Sequence, residues 1–258
     1  MTRKILRFIY IIPGRILFNL NLIAARISNM PIIIEYPKSG ITWVTTVLSD
    51  YLEKPVLNYK GAIIYHPQIK NLFSRIFSTK IIKTHLFDNY NYPKKYIYLQ
   101  RDVKDVMVSY FHHEYNKKVG FFKNKKIKLQ EKDIKDIFFQ YLKYKLEGRN
   151  FPYMNIFEHK NQFIRRNRDI MIINFEDLKK DALSEFKKIL LFYDVPVNED
   201  KLNEIINNNT IEKMRKKSKS YKGMKIKEWF FRKGKIGDWT HYFSKESLKL
   251  LEEKNAEG

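Results

Sequence analysis

Ile32-Ile33-Ile34-Glu35-Tyr36-Pro37-Lys38-Ser39-Gly40-Ile41-Thr42-Trp43 is a β-branched run broken by Pro-Lys-Ser-Gly and followed at once by a helical pattern, with apolar Val44, Val47, Leu48 and Tyr51 spaced by three and four. It reads as a strand, a tight loop and a helix N-terminus. A helix start aims N–H groups outward, Gly40 lets the backbone come close, and Lys38, Ser39 and Thr42 add a cation and two hydroxyls. Together they form an anion cradle suited to a phosphate-like group. The common nucleotide loop ends in Gly-Lys-Ser/Thr, whereas here the Lys precedes the Gly, so ATP or GTP is not the first expectation.

Working outward, Lys80-Ile81-Ile82-Lys83, Tyr96-Ile97-Tyr98-Leu99 and Ile170-Met171-Ile172-Ile173-Asn174-Phe175 are further strand candidates. Their short apolar runs predict strands buried on both faces. Between them, Val103, Val106, Met107 and Tyr110 form one helical face, and Leu183, Phe186, Ile189 and Leu190 another. Alternating strands and helices predict a parallel α/β sheet covered on both sides. Residues 116–136, dense in Lys around Phe121-Phe122, and residues 214–229, basic around Gly223, read as loops near a site or as solvated surface. With 258 residues, 44% of them hydrophobic, the chain can bury one sizeable core, and no repeat or Pro-rich linker marks a second domain. Residues 1–30 are read as an N-terminal basic and apolar segment, and 31–258 as one catalytic domain.

Fifty Lys and Arg against 28 Asp and Glu give a net charge of +22, which attracts polyanions or anionic membranes. A highly phosphorylated ligand, nucleic acid, or simply a biased base composition would each account for it. The absence of Cys excludes disulfides, thiolate metal sites and a Cys nucleophile. The six His are too scattered for a zinc pattern, so no metal is implied. In the first thirty residues Arg3, Lys4, Arg7, Arg15 and Arg26 lie among apolar residues without an acidic neighbour. The uncharged stretch 16–25 is shorter than the roughly 20 residues a spanning helix needs, and Pro13-Gly14-Arg15 interrupts any cleavable signal. An interfacial helix and a helix packed at the core edge both fit.

Pro-Lys-Ser-Gly-x-Thr-Trp after a strand resembles the 5′-phosphosulfate loop of the cytosolic-type sulfotransferase family. Its donor is 3′-phosphoadenosine 5′-phosphosulfate (PAPS), and its product is 3′-phosphoadenosine 5′-phosphate (PAP). Three further segments follow in the family's order. Lys83-Thr84-His85-Leu86 is similar to the Lys-Thr-His loop that carries the catalytic base. Arg101-Asp102-Val103-Lys104-Asp105-Val106-Met107-Val108-Ser109 is similar to the 3′-phosphate segment, with Arg101 and Ser109 in the binding positions; read alone, Asp102 would be a helix N-cap. Phe231-Arg232-Lys233-Gly234-Lys235-Ile236-Gly237-Asp238-Trp239 resembles the C-terminal Arg-Lys-Gly-x-x-Gly-Asp-Trp signature, in which Arg232, Lys233 and Gly234 grip a phosphate.

The resemblance implies an α/β three-layer sandwich around a central, mainly parallel sheet, of the P-loop nucleotide-kinase-like type. It also implies in-line transfer of a sulfonate group from PAPS to an acceptor hydroxyl, with no metal. His85 would take the acceptor's proton, Lys38 would neutralise charge on the leaving phosphate, and Lys83 would steady the sulfonate oxygens. Ser39, Gly40, Ile41, Thr42 and Trp43 complete the donor cradle, and Phe175 before Glu176-Asp177 is the adenine-side ring, where the family has Tyr. Ile211 stands where the family usually has an aromatic, and the family's dimerisation motif is not recognisable in residues 240–253.

Two other classes compete. A nucleotide or small-molecule kinase would use a related cradle but needs Gly-Lys-Ser/Thr and an acidic metal ligand. A non-enzymatic nucleic-acid binder could use the charge with 19 Phe and 17 Tyr, yet no module appears and no nucleic acid is expected. The acceptor falls to the N-terminal stretch and loops 59–77, 112–128 and 214–229. Their Lys-rich, aromatic character favours a glycan or lipid-linked hydroxyl over a small phenol. The expected location is cytoplasmic, with peripheral membrane contact through residues 1–30 as an open alternative.

Overall fold

The computed structural model of the protein describes residues 29–58, 63–64, 80–85, 95–148, 151–166, 169–220 and 234–257. The quoted stretch is strand β1 (Ile32–Glu35), the loop, and helix α1 (Ile41–Leu52), whose residues Val44, Val47, Leu48 and Tyr51 are buried as their spacing predicts. The other strands are β2 (Val56–Asn58), β3 (Ile63–Ile64), β4 (Ile81–Thr84), β5 (Tyr96–Gln100) and β6 (Ile170–Asn174). They form one six-stranded sheet in the order β3-β2-β4-β1-β5-β6. Every neighbouring pair is parallel except β2 with the two-residue edge strand β3.

The alternation of side chains along these strands divides the core. Ile33, Ile81, Ile97, Leu99 and Ile173 face α1 together with α5 (Phe175–Lys180), α6 (Ala182–Phe192) and α7 (Glu199–Asn208). Ile32, Ile34, Ile82, Tyr96 and Tyr98 point the other way, onto Phe163 of α4 (Ile156–Arg166). Beside them, α2 (Val103–Lys117), α3 (Ile134–Leu146) and α9 (Lys245–Glu257) enclose a second cluster dominated by rings. The sheet is thus sandwiched between helical layers. No helix among the described residues is long and apolar enough to cross a membrane.

Three expectations are corrected. Strand β6 is not buried on both faces: it is the sheet edge, and Ile172 is 42% exposed. Phe175 does not end that strand but opens α5. Phe121-Phe122 is neither a loose loop nor solvated surface, because a 3-10 turn over Gly120–Phe122 drives Phe122 into the ring cluster, 5.2 Å from Phe111 and 5.2 Å from Tyr115. The flanking residues 116–119 and 123–126 stay in water. Much of the aromatic content is spent in this core, where Phe111 also meets Phe138 and Tyr141 edge-on at 5.3 and 5.2 Å.

The chain leaves β1 through α1 toward β2, and leaves β5 toward β6 on the other side. That divergence opens a crevice at the carboxyl ends of β1 and β5, the place where such sheets bind ligands.

Candidate active site

The loop after β1 is bent by two residues of positive φ, Lys38 at 85° and Gly40 at 121°. Gly40 is required twice over. Its dihedral is strained for any side chain, and a Cβ there would stand 2.6 Å from Cδ2 of Phe175. Most loop amides are already used: Lys38 and Ile41 donate to the Glu35 carboxylate at 3.2 and 2.7 Å, Ser39 to the Tyr36 carbonyl at 3.3 Å, and Trp43 to the Gly40 carbonyl at 3.0 Å. The Gly40 and Thr42 amides make no hydrogen bond among the described residues, so they are the cradle donors open to an anion. This narrows the sequence expectation: Ile41 shapes the loop through Glu35, and Ser39 turns its hydroxyl back to the Tyr36 carbonyl at 2.8 Å. Trp43 packs edge-on against Phe175 and Phe186, with its indole N–H buried and unpartnered.

Strand β4 lies beside β1 with Ile33 opposite Lys83, which brings Lys83 and His85 to the same end of the sheet as the cradle. His85 Nδ1 is 3.3 Å from the Glu35 carbonyl oxygen and 3.7 Å from its carboxylate Oε1. The His85 carbonyl takes a hydrogen bond from His159 Nε2 at 3.0 Å, and His159 Nδ1 accepts from Tyr98 Oη at 2.9 Å. His159, isolated in the sequence, is therefore a buried support for the loop that carries His85. The Phe151 ring stands edge-on to His85 at 6.0 Å.

Withdrawal from water dominates the electrostatics here. Burial raises the Glu35 carboxyl to about 7, offset in part by the Ile41 N–H, Lys38 and Lys83. Burial lowers Lys38 and Lys83 to about 8 each, with Glu35 pulling both the other way. His85 is lowered to about 3, by burial first and then by Lys83, so it is neutral at physiological pH and its ring can accept a proton.

The second centre sits at the end of β5. Asp102 caps α2 through the Lys104 and Asp105 amides at 2.8 and 3.3 Å, as the sequence suggests, while its own amide donates to Glu176 of α5 at 3.1 Å. Arg101 lies over the Phe175 ring, 4.5 Å from the centroid, donates to the Lys235 carbonyl at 2.9 Å, and stands 3.8 Å from Asp105. Asp105 also accepts the Gly237 amide at 2.8 Å, which docks the Gly234-to-Gly237 turn on α2. Ser109 is one helical turn beyond Asp105 on α2 and so shares that side of the helix. Gly234 has φ 60°, and a Cβ there would run into Ile211 at 1.9 Å, so this turn closes against the start of α8 (Ile211–Ser220). Arg232 and Lys233 lie outside the described residues.

Phe175 therefore joins the centres: it packs over Gly40 and against Trp43 on one side and carries Arg101 on the other. The sequence reading gave no site role to Glu35, Asp105, Phe151 or His159, and named the principal donor-side and catalytic candidates. A carboxylate ending an otherwise apolar buried strand is the signal that could have found Glu35. Among the described residues no cluster of His, Asp and Glu could hold a metal ion.

The family model for the sulfotransferase domain matches residues 30–257. Zebrafish (Danio rerio) sulfotransferase 6B1 is 27% identical over 237 residues, spanning 86% of this chain and 75% of its own length. Rabbit (Oryctolagus cuniculus) amine sulfotransferase is 29% identical over 255 residues, spanning 85% and 77%. Among solved structures, mouse sulfotransferase SULT7A1 complexed with PAP superimposes with a TM-score of 0.67 at 23% identity, covering 89% of this chain and 84% of that one.

Proposed function

The chain belongs to the sulfotransferase domain family, and from that premise we propose that it moves a sulfonate group from PAPS to a hydroxyl-bearing acceptor, with His85 as the base. The kinase and nucleic-acid readings fall with the family assignment. The observation that carries the proposal is the pairing of two anion centres: Lys38, Lys83 and His85 gathered on Glu35, and Arg101 held beside them by Phe175.

The residues present fit the donor. The open amides of Gly40 and Thr42 and the Thr42 hydroxyl suit its 5′-phosphate, and the unpartnered Trp43 indole and the Phe175 ring suit its base. Arg101, Ser109 and the Gly234 turn suit its 3′-phosphate, together with Arg232 and Lys233. PAPS supplies the sulfonate and a stable phosphate leaving group. His85 takes the acceptor's proton as the acceptor oxygen bonds to sulfur. The bridging S–O bond breaks, and its electron pair leaves with the phosphate, where Lys38 neutralises the charge. Lys83, desolvated beside Glu35, holds the sulfonate oxygens in line.

On the acceptor side, the Phe151 ring beside His85 favours a small hydroxyl compound with an apolar ring. The preference for glycan or lipid-linked acceptors rests on the N-terminal stretch and on loops 59–77, 112–128 and 214–229. Of these, 59–77 is described only at 63–64 and 214–229 only at 214–220, while 112–128 holds the end of α2 and the 3-10 turn. The interfacial role of residues 1–30 rests almost wholly outside the described residues. Labelled sulfonate from PAPS, offered with phenols, steroids, amines, glycans and glycolipids, is expected to enter the first two classes. Preferential labelling of glycans or glycolipids would overturn the acceptor reading. No transfer to any acceptor, with no thermal shift by PAP, would overturn the activity.

Arg101→Ala is expected to weaken PAP binding by about 1.5–3 kcal/mol, the worth of a charge-assisted hydrogen bond. Calorimetry checks it. Because the guanidinium also lies on the Phe175 ring, Arg101→Lys should recover little of the loss. Affinity equal to wild type in both variants would remove Arg101 from the 3′-phosphate site.

A further inference from the structure

We infer that Glu35 is a positioning residue for the reaction: its carboxylate and its backbone carbonyl together fix the Nδ1–H tautomer of His85 and stabilise the imidazolium formed when His85 takes the acceptor's proton. The inference rests on the reading of His85 as the base. Glu35 is 2% exposed, at the carboxyl end of β1, and holds the cradle from below by accepting the Lys38 and Ile41 amides. A helix-capping role would need nothing more. Yet two oxygens of the same residue converge on one ring nitrogen, the carbonyl at 3.3 Å and Oε1 at 3.7 Å. A proton on Nδ1 donates to the carbonyl and faces the carboxylate at salt-bridge distance, and the ring's lone pair then lies on Nε2. The other nitrogen tautomer would set the Nδ1 lone pair against two acceptors.

The surroundings give the carboxylate a task beyond orientation. Lys38 and Lys83 face Glu35 from the cradle and from β4, Tyr98 faces it from β5, and His85 completes the set. Burial and Lys83 make His85 a poor base on its own. An anion within salt-bridge distance of Nδ1 offsets this when Nε2 gains the acceptor's proton, in the way the carboxylate of a hydrolase triad supports its histidine. The balance is simple. The acceptor loses a proton to Nε2, the Nδ1 proton stays shared with Glu35, and the Nε2 proton goes to solvent after PAP departs. Oε1 also accepts the Lys38 amide, so one oxygen links the conformation of the donor loop to the basicity of the histidine.

Because the carboxyl lies at about 7, the anionic form is gained as pH rises through neutrality, and transfer should rise with it until Lys38 and Lys83, lowered to about 8, lose their charge. The test compares Glu35→Gln, His85→Asn and the double variant, measuring PAP affinity by calorimetry and single-turnover transfer from pH 5.5 to 9. Glu35→Gln is expected to lower transfer about 10²-fold, to weaken PAP binding far less because the amide oxygen still accepts one of the two loop amides, and to flatten the neutral limb of the pH profile. Added to His85→Asn it should cost nothing more. A Glu35→Gln enzyme with wild-type transfer, or one whose PAP affinity falls as far as its rate, overturns the inference. Wild-type transfer by His85→Asn would instead overturn the base assignment itself, so the two failures are distinct. If Glu35→Gln does not fold, ¹⁵N shifts of the His85 ring in the wild-type protein decide: an Nδ1–H tautomer supports the inference and an Nε2–H tautomer overturns it.

Discussion

Replacing His85 with Asn is expected to lower single-turnover sulfonate transfer by about 10²- to 10⁴-fold, the usual worth of a positioned acid or base, while PAP still binds. The separation follows from how the residue is held. The groups that support its segment are the main-chain carbonyl bonded by His159 and the parallel pairing of β4 with β1, and neither uses the imidazole. Asparagine keeps a polar tip of similar reach near the Glu35 carbonyl, so the donor loop has no reason to rearrange. What is removed is the nitrogen lone pair that, on the proposed assignment, receives the acceptor's proton. Lys38→Ala should behave differently: on the proposed assignment that cation faces the donor in both ground and transition states, so its loss is expected to weaken PAP binding as well as rate. Calorimetry and single-turnover assays on both variants distinguish base from binding cation. Near-wild-type transfer by His85→Asn would falsify the assignment.

The first centre was legible in the sequence because three local signals coincide: a β-branched run, Pro-Lys-Ser-Gly, and the change to a spacing of three and four at Val44, Val47, Leu48 and Tyr51. Glu35 was not, because its meaning depends on a partner 50 positions away. The same holds for His159, which is 74 positions from the carbonyl it supports. Edge and centre strands share one apolar pattern, so Ile170-Met171-Ile172-Ile173 could not declare that β6 has a neighbour on one side only. Strand β3 is two residues long and carries no period at all. Phe122 was obscured by the surrounding lysines; its burial is decided by Phe111, Tyr115 and Tyr141, a packing arrangement that no window of sequence contains. The second centre is an intermediate case. Arg101 and Phe175 were both named from motifs, but their stacking across the β5–β6 edge is a product of the sheet register.

Glu114→Ala should destabilise the fold by about 3–5 kcal/mol, the cost of leaving one partner of a buried ion pair uncompensated. Lys145 Nζ is 2.9 Å from Glu114 Oε1, and the two residues are 2% and 3% exposed. The other carboxylate oxygen takes the Phe121 amide at 3.0 Å, and a Cβ at Gly120 would lie 2.1 Å from it. One carboxylate thus ties α2 to α3 and fixes the turn that inserts Phe122. The pair also reaches toward the site, because Lys145 and the Tyr110 hydroxyl both donate to the Phe151 carbonyl at 2.9 Å, and the Phe151 ring meets His85. Glu114→Leu combined with Lys145→Met should recover part of the lost stability, since a well-packed apolar pair avoids the desolvation of two charges while the Phe121 amide still loses its acceptor. It should nonetheless raise the KM for acceptor, because the Lys145 bond to the Phe151 carbonyl is gone, while PAP affinity, set at the far side of the cradle, stays unchanged. Urea unfolding of the single and double variants measures the first effect, and acceptor titration at saturating PAPS the second. A Glu114→Ala protein with the wild-type urea midpoint would show that the ring cluster holds α2 and α3 together without the ion pair, and Phe151 would then need another explanation for its place beside His85.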